Sequence, residues 1–323
     1  MSFGADTEPV DAVYTWVDGS FPGYAELLQA HAESAHDRNP NRTRDNLDLL
    51  KYSLRSLERH APWLRRVFLV TTRPQLPRWL DPGAPGLRLV HHDEIFEPRQ
   101  LPTFNSFAIV ASLHRISGLA RRFLYLEDDR LFGRDTTLAD FLTEDGRIKV
   151  YAKLSGTPAG ARSADARLSP WNLALARSNL LLDRRHGPAR RRSVKEFPLF
   201  VEQGSWEEFQ LQWKEEIGHT LASRFRSMHD LAPEHLYPYH LLATSRAVRV
   251  PLLRAYRDVS YLGLGNSALA TAIGLAWLRW RRPKLYCLND NFGDRPNPRV
   301  VARVQRFLEG AYPEPSRFER RPI

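Results

Sequence analysis

At 323 residues, 42% hydrophobic and 26% charged, the chain has ordinary globular composition and is long enough for one large domain or two modest ones, which excludes a disordered polymer. Its single cysteine, Cys287, excludes an intrachain disulfide and is compatible with a reducing cytoplasm. The net charge of +10 rests on arginine, since Lys51, Lys149, Lys153, Lys195, Lys214 and Lys284 are the only lysines; it suits an anionic ligand without choosing among nucleic acid, phosphorylated polymer and nucleotide sugar.

The first residues, Met1-Ser2-Phe3-Gly4-Ala5-Asp6, lack the basic-then-apolar pattern of a signal peptide, so export is not expected. Val10 to Val17 alternates and is rich in Val, Tyr and Trp, which predicts a first strand stopping at Asp18-Gly19. Residues 22–43 read as irregular and polar, a flap or a short helix followed by a loop. Asp45 or Asn46 then caps a helix whose Leu47, Leu50, Leu54 and Leu57 recur at helical spacing, with Tyr52, Arg55 and Arg59 on the other face. Pro62 closes it. Arg66 to Thr72 and Leu87 to His91 read as strands, Ser106 to Arg121 as a helix, and Phe123 to Leu126 as a strand that runs straight into Glu127-Asp128-Asp129. Three consecutive carboxylates at a strand end repel one another unless a cation sits there, and the natural occupant is a divalent metal holding a phosphate.

Alternating strands and helices of these lengths predict an α/β fold with a mostly parallel sheet flanked by helices. In such sheets ligands bind at the carboxyl ends of strands, where both Asp18-Gly19 and the acids fall. Arg147 to Leu154 reads as a further strand. Residues 156–200 read as loops and short helices around a basic knot, Arg184-Arg185-His186 and Arg190-Arg191-Arg192. Helical pattern returns from Trp206 to about Phe225 and from Glu234 to Ala247. The stretch from Tyr261 to Trp280 is too interrupted for a membrane span and predicts a buried helix starting near Asn266, although Trp277 and Trp280 beside arginines would also suit a bilayer surface. Leu285 to Asn291 reads as a last strand ending in polar residues.

Four blocks in this order resemble the Stealth family of sugar-1-phosphate transferases, which includes bacterial capsule-polymer enzymes and the catalytic subunit of the animal lysosomal N-acetylglucosamine-1-phosphotransferase. They are Asp11 to Ser20; Arg44-Asp45-Asn46 through Tyr52 to Ser56, Ala61-Pro62-Trp63 and Leu101 to Ser106 to Asp128-Asp129; His186 with Arg224-Phe225-Arg226 and Asp230; and Cys287-Leu288-Asn289-Asp290. The resemblance implies a core similar to nucleotide-sugar transferases of GT-A type, in one catalytic domain over 1–323. Residues 8–154 would form the α/β nucleotide-sugar and metal-binding core, and 155–323 a helical, loop-rich part completing the site. It also implies a nucleotide-sugar donor, a glycan or polysaccharide acceptor, dependence on Mg2+ or Mn2+, and release of nucleoside monophosphate, in the cytoplasm or at the inner face of the membrane.

On that reading Asp128 and Asp129 hold the metal with Asp290 as a third acid, Arg226 neutralises the transferring phosphate, and His186 is the general base. Asp18, Gly19, Arg44, Arg55, Asn105 and Asn289 are candidates for binding substrate. Asp18-Gly19 would form the nucleotide turn, while Asn105 would either contact the donor sugar or hold its loop. Two positions depart from the family pattern: Val110 stands where glutamate is usual, and Glu127 where asparagine is usual. The competing functions are a metal-dependent glycosyltransferase, which would release nucleoside diphosphate, and a nucleic-acid-binding protein. Basic residues scattered among acids, with no nucleic-acid module, argue against the latter.

Overall fold

Val10–Thr15 (β1) is buried from Val10 to Tyr14, yet carries Asp11, and the fold settles that charge locally. Arg65 clamps both Asp11 oxygens at 2.9 and 2.6 Å, and Ala120 donates its backbone N–H at 2.7 Å. In this computed structural model, which describes residues 8–32, 34, 37–165 and 167–320, β1 lies at the centre of a five-stranded sheet. Val67–Thr71 (β2), a continuous apolar run, and Leu87–His91 (β3) follow on one side. Arg122–Glu127 (β4) pairs with β1 on the other, and Leu199–Glu202 (β9) closes that edge. The first four strands are parallel and β9 is antiparallel.

Because the chain leaves β1 in one direction and returns to its other side as β4, a crevice opens at their carboxyl ends, where Thr15 and Glu127 are register partners. Between these strands run Tyr24–His31 (α1), Leu49–His60 (α2), the single turn His92–Ile95 (α3) and Ser106–Ser112 (α4). Helix α2 starts later than its leucine spacing predicts: Asp48, at φ 52°, precedes it, and Leu47 packs in a second apolar cluster with Tyr52. Leu50, Leu54 and Leu57 face the main core. Its serines let Arg130–Phe132 (β5) come close, since Ser53 donates to the Arg130 carbonyl and Ser56 Oγ accepts from Phe132 N at 2.9 Å. Helix α4 stops at Ser112 and tightens into a 3-10 turn, well short of the predicted Arg121.

The expected division near residue 154 is crossed by sheet pairing. After Ile148–Val150 (β6) and Ala152–Gly156 (β7), the chain supplies β9 to the central sheet. It also supplies Arg192–Val194 (β8) to β7 and Ala247–Arg249 (β10) to β6. Val259–Leu264 (β11) and Leu285–Asp290 (β12) join β5 in a three-stranded sheet, so the part read as helical is mixed. Pro170–His186 (α5) is a 17-residue helix where short pieces were expected. The predicted helix 206–225 is two, Gln203–Gln212 (α6) and Lys214–Ala222 (α7), broken at Trp213, which is buried against Phe209 and His240. Pro233–Ala243 (α8), Leu252–Asp258 (α9), Ala268–Arg281 (α10) and Pro298–Ala311 (α11) complete the chain. Helix α10 is not buried as predicted: Thr271, Leu275 and Leu278 pack inward, while Leu269, Ile273, Trp277 and Trp280 stand in solvent. Among the described residues no helix is long and apolar enough to cross a membrane.

Candidate active site

The crevice at the ends of β1 and β4 is a cleft of about 410 Å³, lined from one side by Thr15, Trp16 and Val17, and at its floor by Glu127, Asp128 and Asp129. Asn289 and Asp290 at the end of β12, the turn Arg44-Asp45-Asn46, and Ser106 with Arg226 supply further walls. Six segments remote in sequence therefore meet at one place.

Asp129 is fixed by β12. Its backbone carbonyl accepts from Leu288 N at 3.0 Å, and its Oδ2 accepts from Cys287 Sγ at 3.1 Å and Asn289 Nδ2 at 3.5 Å. Its Oδ1 is buried with no hydrogen-bond partner, an uncommon condition for a carboxylate oxygen. Burial, then the neighbouring charge of Glu127, raises the Asp129 carboxyl above its ordinary range. Burial likewise raises Asp128 well above that range, reinforced by Asp129, Asp45 and Glu127. Glu127 is drawn aside by Arg130, whose Nη2 meets Oε2 at 2.6 Å while Nη1 donates to the Phe197 carbonyl at 2.8 Å. Asn289 Oδ1 accepts from Tyr261 at 3.1 Å; Lys153 lies over that tyrosine ring and also pairs with Glu196.

Among the described residues no carboxylate pairs with Arg226. Its Nε and Nη2 donate to Ser106 Oγ at 3.2 and 2.6 Å, and its guanidinium lies over the rings of Phe107 and Trp171 at 4.8 and 5.5 Å. The nearby Asp230, an apparent salt-bridge partner in sequence, is buried and bonded instead to Ser227 N, Ser227 Oγ and Asn105 Nδ2, the last at 2.8 Å. Arg226 thus enters the cleft with its charge available to an anion.

The other predicted residues divide. Arg44 stands exposed at the rim and Asn289 lines the cleft. Asp290 lines it too, but its oxygens are taken by Asn46 Nδ2 at 2.6 Å and Phe292 N at 2.9 Å. Among the described residues no three His, Cys, Asp or Glu side chains converge as a metal-holding group. Asp18 and Gly19 are not among the cleft walls and brace the turn. Asp18 Oδ1 accepts from Ser20 N and Asp45 N, and a Cβ on Gly19 would run into the Pro40 carbonyl, so glycine is needed for the 40–46 turn to close over β1. Asn105 is fully buried, caps α4 through Phe107 N, and ties the loop before Arg226 through Ser223 O and Asp230; of its two candidate roles it fills the structural one.

Arg55 lies outside the cleft, locked in a two-pronged pair with Glu319 at 2.7 and 2.6 Å and bonded to the Tyr312 carbonyl. His186 ends α5, exposed, its ring 5.6 Å from that of His240 and absent from the cleft walls, because α5 carries it away from the β4 terminus.

One acid escaped sequence reading. Glu234 opens α8, where Pro-Glu ahead of an apolar run reads simply as a helix start. Its Oε2 is buried without a partner, and burial, aided by Glu127, pushes its carboxyl up to about 7, opposed by Arg130 and Arg226. A raised carboxyl favours folding below its ordinary 4.5 and loses that contribution as pH climbs through about 7. Glu234→Gln is therefore expected to stabilise the protein by about 1 to 3 kcal/mol above neutral pH and by almost nothing near the ordinary glutamate value. Urea unfolding at the two pH values checks this, and equal gains at both would refute it.

Two aspartates with an orphaned oxygen between them and the cleft fit a magnesium-like ion, which commonly takes one or two protein carboxylates and completes its shell with phosphate and water. Comparison with known proteins agrees in family. Residues 42–150, 198–243 and 276–322 match Stealth protein conserved regions 2, 3 and 4 respectively; His186 falls outside these stretches. The chain is 37% identical over 317 residues to the exopolysaccharide phosphotransferase SCO6023 of Streptomyces coelicolor, covering 97% of this chain and 53% of that protein. It is 34% identical over 322 residues to the exopolysaccharide phosphotransferase CpsY of Mycobacterium tuberculosis, covering 96% and 58%. The chain thus spans about half the length of the curated relatives it matches. Among solved structures it is similar to the galactosyltransferase LgtC at 11% identity and a TM-score of 0.42, over 93% of this chain and 96% of that one.

Proposed function

Since the chain belongs to the Stealth family, we propose that it transfers a sugar-1-phosphate from a nucleotide-diphosphate sugar to a hydroxyl of a glycan acceptor in exopolysaccharide, capsule or cell-wall polymer synthesis. The observation that carries the reading is one cleft holding both a pair of aspartates with an unpartnered oxygen and an arginine with no acid paired to it among the described residues. Phosphoryl transfer asks a protein for charge neutralisation and alignment more than for covalent chemistry.

The acceptor oxygen attacks the sugar-proximal phosphorus, the bond from that phosphorus to the bridging oxygen breaks, and nucleoside monophosphate leaves with the bridging oxygen. Arg226, oriented by Ser106 and its two aromatic faces, presents N–H donors to the equatorial phosphate oxygens. Asp128 and Asp129 would hold Mg2+ or Mn2+, which supplies neutralisation of the diphosphate and its departing charge. Asn289, held by Tyr261, and Arg44 at the rim, both lining the cleft, would contact the donor. With His186 remote, Glu127, which lines the cleft while paired to Arg130, would receive the acceptor's proton. The cytoplasm, where nucleotide sugars are made, is the compartment this chemistry asks for.

Which bond breaks separates this from a glycosyltransferase. After incubation with a panel of nucleotide sugars, magnesium and glycan acceptors, phosphorus NMR is expected to show a diester signal, with nucleoside monophosphate formed in equal amount and the donor's anomeric configuration kept. Nucleoside diphosphate with a phosphorus-free glycoside would overturn the proposal.

A further inference from the structure

Helix α10 carries apolar side chains on its inner and outer faces alike, and nothing among the described residues covers the outer one. Leu269, Ile273, Trp277 and Trp280 recur at helical spacing and are 72%, 62%, 43% and 77% exposed. At 3.6 residues per turn their stripe lies almost opposite Thr271, Leu275 and Leu278, which pack inward. A soluble helix ordinarily keeps its outer face polar. The same turn arithmetic puts Arg279 and Arg281 on the two flanks of the stripe, roughly 100° to either side of its centre. Arg282 follows at the helix end.

A second basic row, Arg299, Arg303 and Arg306, is exposed on the neighbouring α11, on the side that carries Phe307, against whose ring Arg279 lies at 5.9 Å. Among the described residues none of these six arginines forms an ion pair, and Glu309 is the only acid on either helix. An apolar stripe with tryptophans, edged by unpaired arginines, has the chemistry that buries at the headgroup boundary of an anionic bilayer. A protein partner would have to bury this stripe against an acidic rim of its own, and the spread of arginines over two helices matches a sheet of charge better than a point partner.

We propose that the outer face of α10, with the arginines of α10 and α11, docks the protein onto an anionic lipid surface. The docking helix and the cleft wall are one continuous segment: Asn266, just before α10, donates to the Phe292 carbonyl two residues past Asp290. Binding to the bilayer is read without turnover, so this inference stands or falls independently of the proposed reaction.

The test is co-sedimentation of the full chain with vesicles of phosphatidylcholine alone or with phosphatidylglycerol as about a third of the lipid. Wild type is expected to bind the anionic vesicles at least about tenfold more tightly than the neutral ones, with tryptophan emission shifting to the blue and quenched by brominated lipid. Ile273→Ser with Trp277→Ser and Trp280→Ser should lose about tenfold or more in binding, and so should Arg279→Glu with Arg281→Glu and Arg282→Glu. The single Trp280→Ser, at the most exposed site, serves as the variant whose folding is least at risk, with melting temperature measured alongside. Absence of wild-type binding to anionic vesicles, or binding untouched by the serine changes, overturns the proposal. So does a wild-type dimer in solution that the serine changes dissociate, which would assign the face to a second copy.

Discussion

Asp128→Asn and Asp129→Asn are each expected to lower turnover by about 10³-fold or more, the largest loss any single change in this protein should give. Both side chains sit in the cleft floor, and the Asp129 oxygen without a partner has no structural work to lose. Stability should move the opposite way. Both carboxyls are raised above the ordinary aspartate value of 3.8, so their favourable contribution to folding exists only below that value and is lost as pH rises. At neutral pH, without divalent ion, the asparagine variants should melt no lower than wild type, as expected where a site stores repulsion for a ligand. Wild type should gain melting temperature with rising magnesium or manganese and the variants should gain little. Thermal melts across a metal titration, beside steady-state rates, check both halves; a variant with wild-type turnover and an undiminished metal response would remove the aspartates from the site.

Arg226→Lys is expected to reduce kcat by about 10²-fold, with Arg226→Ala worse still. The guanidinium is positioned by a bifurcated contact to Ser106 and by stacking on Phe107 and Trp171, and an ammonium can reproduce neither the fork nor the planar stack. If the fork acts chiefly on charge that develops as the phosphorus–oxygen bond breaks, kcat falls and KM changes little. Initial rates over a range of donor concentrations separate the two parameters. A lysine variant with kcat intact and only KM raised would make Arg226 a ground-state binder.

Much of this was legible in the chain because the central strands are continuous apolar runs and their carboxyl ends are marked. Leu87–His91 falls at its predicted bounds, β2 and β4 within a residue of theirs at each end, and Asp128, Asp129, Arg226 and Asn289 do meet in one cleft. What stayed hidden is what depends on tertiary partners. Arg55 looks like a free cation until Glu319, at the far end of the chain, takes both of its prongs. Asn105 and Asp18 carry the same polar groups whether they bind a ligand or brace a loop, and only their neighbours decide. His186 stands beside arginines in sequence, but the long helix that precedes it, unforeseen because its apolar spacing is broken by polar residues, sets it elsewhere. Helix α10 misled in the opposite sense, since apolar content alone does not say which faces find a partner.

The pairing of β12 with β5 has a bearing on how the protein comes into being. Cys287 and Asn289 reach Asp129 across about 160 residues, a closure that no local helix or hairpin can stand in for. During synthesis the acidic strand end leaves the ribosome well before β12 and waits through the residues between them for its other wall. Long-range pairings of this kind are slow steps in folding, and exposed strand edges in the interim invite wrong contacts. The cleft consequently lacks the wall formed by Asn289 and Asp290 until β12 is made and seated, long after the acids at the end of β4 have been synthesised.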